Sequence, residues 1–130
     1  MAGVDPETQQ RCYSARAYYL PASSRKNLVL LTQAMVRDVV LEEHDGQWVA
    51  KGVRFMHGDR EHVARVDGEV ILSCGSVQSP QLLELSGIGN PEVLKAAGIK
   101  VKVSNSNVGE NLQEHMRELP KHFLDANALR

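Results

Sequence analysis

The chain has 130 residues, 42% of them apolar, which is enough for one buried core and too few for several domains. Fifteen basic residues against 16 acidic ones leave a formal charge of -1, so no broad field draws the chain to nucleic acid or an anionic membrane. Cys12 and Cys74 are too few for a disulfide scaffold, no apolar run nears the roughly 20 residues that span a bilayer, and MAGVDPETQQ lacks the basic and apolar regions of an export signal. A soluble chain is expected, of no stated compartment.

In chain order, the polar first ten residues are expected to fray. From Ser14, a capping residue, Ala15 to Leu20 form under two turns of helix that Pro21 stops, with Tyr18 and Tyr19 packed inward. Leu28 to Leu31 is an unbroken apolar run, the pattern of a strand buried on both faces. After Thr32 the apolar residues spread out among charges, and the pairs Asp45-Gly46 and Gly58-Asp59 each separate β-rich runs, which predicts two successive hairpins with one wet face. Asp67-Gly68 leads to a second buried strand at Val70, Ile71 and Leu72, with Cys74 at its end as a small hydrophobe.

The stretch from Glu69 to Gly89, EVILSCGSVQSPQLLELSGIG, organises the rest. Its strand stops at Gly75-Ser76, where close approach of another group to the backbone is expected. Ser79-Pro80 then suits a helix start, since Ser caps free N–H groups and Pro at the first helical position has none to leave unpaired. Leu82, Leu83 and Leu85 form the apolar stripe, and Gly87 and Gly89 end the helix. Such a corner beyond the carboxyl end of a strand is where open α/β sheets place ligands. A further helix begins at Asn90-Pro91, with Glu92 in its first turn and Gly98 at its end, and Ile99, Val101 and Val103 alternate as a half-exposed strand. A turn-rich loop around Gly109 follows, up to His115, and Met116 to Arg130 carry no clear period.

Candidate chemistry is thin. His57 and His62 flank a hairpin turn without a cysteine or carboxylate pattern to complete a metal site, and His44 lies in an acidic turn, so all three are read as solvated. His115, at the end of the glycine loop, has the best claim among the histidines to lie near a ligand; His122 falls in the unpatterned tail. Ser76 and Ser79 lie outside any Gly-x-Ser-x-Gly elbow and are assigned to turn hydrogen bonding. Glu42 and Glu43 are neighbours on a strand and point to opposite faces, so they do not form an acid-base pair. Gly87-Ile88-Gly89 ends a helix rather than opening one, which removes the phosphate-cradling reading. The residues alone describe an α/β ligand-binding piece and name no reaction.

A resemblance names one. Gly75 to Gly89, GSVQSPQLLELSGIG, resembles the second signature of the glucose-methanol-choline (GMC) family of FAD-dependent oxidoreductases, whose usual form is close to GAIGSPQLLLLSGIG. Tyr13 to Ala22 resembles the family's SARAYLxPA segment, Asn27 to Val39 its NLTVLTGAxVxRV segment, Gly98 to Val103 its AGI strand, and Val108 to His115 its VGENLQDH loop. The match runs in one register from about Arg11 to His115 and is nearest the aryl-alcohol oxidase and choline dehydrogenase branch. Cys74 stands for the usual Ala, Gln78 for Gly, Glu114 for Asp, and Asp67-Gly68 where a basic residue is common.

The resemblance implies an α/β fold, a piece of an FAD/NAD(P)-binding Rossmann-like domain with an antiparallel β-meander and short helices, leading into the substrate domain. It divides the chain into a partial FAD-binding domain over 1–115, including the signature at 75–89, and a divergent or truncated tail over 116–130. It implies FAD as cofactor, with Val36 as the valine whose backbone meets the adenine end and Gly75-Ser76 as a flavin-domain turn; no catalytic residue and no metal ligand carry over. The implied activity is oxidation of an alcohol by hydride transfer to the flavin, a small-molecule alcohol being the partner, and neither nucleic acid nor membrane. The family's pyrophosphate-binding GxGxxG and its catalytic histidine belong to segments that do not match here. The expectation is therefore a central fragment, inactive alone, or a non-catalytic remnant that self-associates through uncovered sheet faces.

Overall fold

The computed structural model describes residues 3–114, in two compact units, one of the residues up to Ala34 and one from Met35 onward. In the first unit the opening residues are tied down instead of frayed. One carboxylate oxygen of Asp5 accepts the backbone N–H groups of Glu7 and Thr8 at 3.0 and 2.9 Å, and Val4 pairs with Arg11 in an antiparallel bridge. The Arg16 guanidinium adds bonds to the side chains of Gln10 and Thr8.

The helical segment differs from the expectation in three ways. Ala15–Tyr19 is wound as a π-helix and passes directly into α1 (Leu20–Ala22). Pro21 therefore does not stop the helix: it stands in the first turn of α1, directly after the π-helical segment. Ser14 makes no side-chain cap bond, and Tyr18 is 78% exposed rather than packed inward. The expected buried strand at Leu28 to Leu31 is also absent. The run has no regular structure and Val29 is 85% exposed, because no described strand lies beside it to take its hydrogen bonds or cover its faces.

The second unit opens with the predicted meander. β1 (Ala34–His44), β2 (Gln47–His57) and β3 (Arg60–Arg65) form a sheet in the order β1-β2-β3. Asp45 and Gly46 turn the first hairpin with φ of 50° and 78°, the two left-handed positions that a twist-compatible two-residue turn requires. β2 and β3 pair antiparallel from His57↔Arg60 to Gly52↔Arg65. One face carries ion pairs, Arg54 with Asp38 at 3.5 Å and with Glu61 at 3.9 Å. On the other, Phe55 stacks on His62 across the strands with ring centres 5.5 Å apart. β3 is exposed along its whole length, which confirms the wet side.

The second expected buried strand, at Val70 to Leu72, is irregular too. Ile71 is 80% exposed and Cys74 is exposed rather than buried. The following helix, α2 (Gly75–Leu85), starts four residues before the predicted Ser79. Its N-cap is Cys74, and Ser79 reaches back to accept the Cys74 N–H at 3.0 Å. Pro80 consequently lies inside the helix, in the second turn, where it withholds one intrahelical bond.

The remainder follows the sequence closely. β4 (Ile88–Gly89) and β5 (Val103–Ser104) pair in parallel, so the predicted strand from Ile99 is reduced to its last residues. Between them α3 (Pro91–Ala96) is capped by Asn90, whose side chain accepts the Glu92 N–H at 3.0 Å. At its other end the N–H of Gly98 bonds the Lys95 carbonyl and that of Ile99 bonds the Leu94 carbonyl at 2.8 Å, the paired bonds of a Schellman ending. Leu94 is fully buried, and with Leu82 and Val39 it makes the buried apolar core among the described residues. Lys102 lies over the Trp48 ring at 5.6 Å, a further tie between the sheet and the β4-β5 pair.

Candidate functional site

The signature stretch keeps the glycine turn and the helix expected of it, without the strand before them. At Gly75 the chain turns with φ 89°, a conformation that a side chain strains. A Cβ there would meet nothing within 4 Å. The glycine is thus required by the turn and not by close approach of another part of this chain, and the space beside it is open. Cys74 offers no side-chain bond to the first-turn N–H groups of α2, which are donors without intrahelical partners.

α2 separates two surface grooves within this unit. One, of about 570 Å³, lies between the helix and the loop of residues 107–112, and is lined by Ser76, Pro80, Leu83, Glu84, Asn107 and Gly109 among others. The second lies between α2 and β1, where Met35, Val36, Arg37 and Asp38 face Gln81 and Leu85. Val36 and Ser76, implied cofactor contacts, therefore sit on opposite sides of one helix, and Gln81 lines both grooves. Gly75 stands at the helix start next to Ser76.

The groove walls are held by specific contacts. Gly87, the residue after the α2 C-cap, has φ 91°, and a Cβ on it would fall 2.6 Å from the Lys100 carbonyl oxygen. Its own carbonyl accepts from Lys102 and Val103 at 2.8 and 3.1 Å. Glu84 packs between two glycine backbones: a Cβ on Gly89 would lie 3.2 Å from its Cγ, and one on Gly109 3.2 Å from its carboxylate oxygen. Ser86 is 2% exposed; its hydroxyl donates to the Leu82 carbonyl at 2.6 Å and accepts the Val39 N–H at 2.8 Å.

Gln81, Glu84 and Ser86 were not singled out by sequence reasoning. The predicted helix already set Gln81 one turn from Leu85 on one face, which was the signal for Gln81; for the buried hydroxyl of Ser86 the sequence carried no cue. His57 and His62 meet edge to face, ring centres 6.4 Å apart, on the far hairpin, and His44 lies 3.3 Å from Asp45; neither lines the grooves around α2. His115 and His122 lie outside the described residues. The Asp5 carboxyl is held below the usual carboxylate range chiefly by the Thr8 N–H, far along the chain from the signature. Among the described residues no cluster of three or more metal-ligating side chains occurs, and no helix is long and apolar enough to cross a membrane.

Comparison with known proteins shows the family. The family model for GMC oxidoreductases matches residues 1–117. Dehydrogenase mpl7 of Monascus purpureus is 50% identical over 109 residues, 83% of this chain and 18% of that protein. An oxygen-dependent choline dehydrogenase of Staphylococcus epidermidis is 40% identical over 113 residues, 87% of this chain and 19% of that protein. Among solved structures, an FAD-dependent oxidoreductase from Chaetomium thermophilum superposes with a TM-score of 0.67 at 29% identity, over 78% of this chain and 17% of that one. The chain thus spans about a fifth of the length of the relatives it matches, and it belongs to the GMC oxidoreductase family.

Proposed function

We propose that this chain supplies one wall of an FAD site in an enzyme that oxidises alcohols. The observation that carries the reading is the placement of Val36, Gly75 and Ser76 around α2, with open space beside Gly75 and uncapped amides at the helix start. Those amides and that space fit a cofactor edge that accepts hydrogen bonds. The groove beside Ser76 carries Glu84 and Glu110 and no basic side chain in its lining, so it suits an uncharged part of the cofactor and repels a pyrophosphate. This agrees with the family pattern, in which the pyrophosphate belongs to a glycine loop outside the matched segments. Bound FAD would supply the hydride acceptor; the residues of this chain bind and orient it, and no side chain here is assigned to move the substrate proton.

A general base contributes roughly two to four orders of magnitude in rate. The 130-residue chain by itself is therefore expected to show negligible turnover. The test is to purify it, record its absorption, and assay benzyl-type alcohols with oxygen and with an artificial acceptor. The expected result is no flavin spectrum and no oxidation; a flavin-loaded protein bleached by alcohol would overturn the assignment of a single wall.

A second reading rests on a separate observation, the exposure of Val29, Leu30 and Leu31, consecutive in the first unit, at 85%, 58% and 49%. Contiguous exposed apolar surface drives association, so the isolated chain is proposed to pair with a second copy. Light scattering is expected to give a mass above that of one chain, and a stable monomer at high concentration contradicts this reading.

A further inference from the structure

We infer that Ser86 is a positioning residue, which holds α2 against the outer edge of β1 and so sets the width of the groove shared by Val36, Gln81 and Leu85. The inference rests on the reading that this groove receives the cofactor. β1 is the end strand of its sheet, and an end strand presents backbone N–H groups with no neighbouring strand to bond them. The Val39 N–H finds its acceptor in the Ser86 hydroxyl, 2.8 Å away and buried. That same hydroxyl spends its proton on the Leu82 carbonyl at 2.6 Å, so its orientation is fixed and its lone pairs face the strand.

Ser86 directly follows Leu85, and Val39 directly follows Asp38, both of which line this groove. The bond therefore clamps the two groove walls at one end: the strand on one side, the residue after the last turn of α2 on the other. A van der Waals contact would let the helix slide along the strand. A directed bond between a fixed hydroxyl and a backbone N–H does not, since it weakens steeply when misaligned. Beside it the Gly87 carbonyl accepts the N–H groups of Lys102 and Val103 at 2.8 and 3.1 Å, which ties the chain next to the hydroxyl to β5.

The test compares the full chain with Ser86→Ala and Ser86→Thr by amide hydrogen exchange and by nuclear Overhauser contacts between the Val36 and Leu85 methyl groups. Leu94→Val serves as a control that lowers stability while leaving the Ser86 hydroxyl in place. Losing a buried partner predicts that Val39 exchanges at least about tenfold faster in Ser86→Ala, relative to the other β1 amides. The Val36–Leu85 contacts weaken in that variant. Ser86→Thr, which keeps the hydroxyl, restores both readouts, and Leu94→Val changes all exchange rates together. Unchanged Val39 exchange and methyl contacts in Ser86→Ala overturn the inference. If they change as expected but millimolar FAD moves no amide near Val36 in the wild-type chain, the clamp stands and the cofactor reading fails.

Discussion

Two kinds of apolar sequence in this chain met opposite fates. Leu94 and Leu82, each on a short helix, are buried at 0% and 6% exposure, whereas the continuous runs Leu28 to Leu31 and Val70 to Leu72 stay irregular, with Val29 and Ile71 at 85% and 80%. Leu94 is covered from close in sequence: α3 ends in a Schellman turn and returns directly through Ile99 to the strand beside Gly87. A strand covered on both faces needs flanking strands and two layers of helix. The described residues supply neither beside these runs.

That contrast can be broken most strongly at Leu94. Leu94→Ala removes a fully buried side chain from a small core and is expected to cost about 2–5 kcal/mol, enough to unfold much of the second unit in chemical denaturation. A loss below about 1 kcal/mol would mean that this core does not hold the corner together. Asn90→Ala deletes the acceptor of the Glu92 N–H and is expected to cost about 1 kcal/mol by the same measurement, with α3 fraying first in amide exchange. At the small end, Val29→Ser and Ile71→Thr are expected to change stability by no more than about 0.5 kcal/mol, as surface substitutions do, while lowering the apparent mass in light scattering. A large destabilisation by either would show that these runs are packed in solution.

The same contrast explains what the sequence made legible. The hairpins at Asp45-Gly46 and Gly58-Asp59, the Asn90 cap and the Gly98 ending were all readable, because each rests on chemistry within a few residues. The two apolar runs misled because composition records a tendency to be buried and says nothing of whether covering strands are at hand. Pro80 misled in a different way. Ser-Pro is a common helix start, yet here Ser79 turns back to bond Cys74 and the helix begins at Gly75, whose positive φ makes the turn. The family resemblance singled out Val36, Gly75 and Ser76 without bringing the strand to the helix, and the clamp at Ser86, a side chain bonded to a backbone group 47 residues away, belongs to tertiary structure alone.

The central claim is that α2 and β1 form one wall of a flavin site, and it is tested most directly by titrating the isotope-labelled chain with FAD to millimolar concentration and following backbone amide shifts. The account predicts weak, saturable changes that cluster at Val36, Gly75 and Ser76 and spare the far hairpin at His57 and Gly58. Changes confined to that hairpin, or none at all, would contradict it.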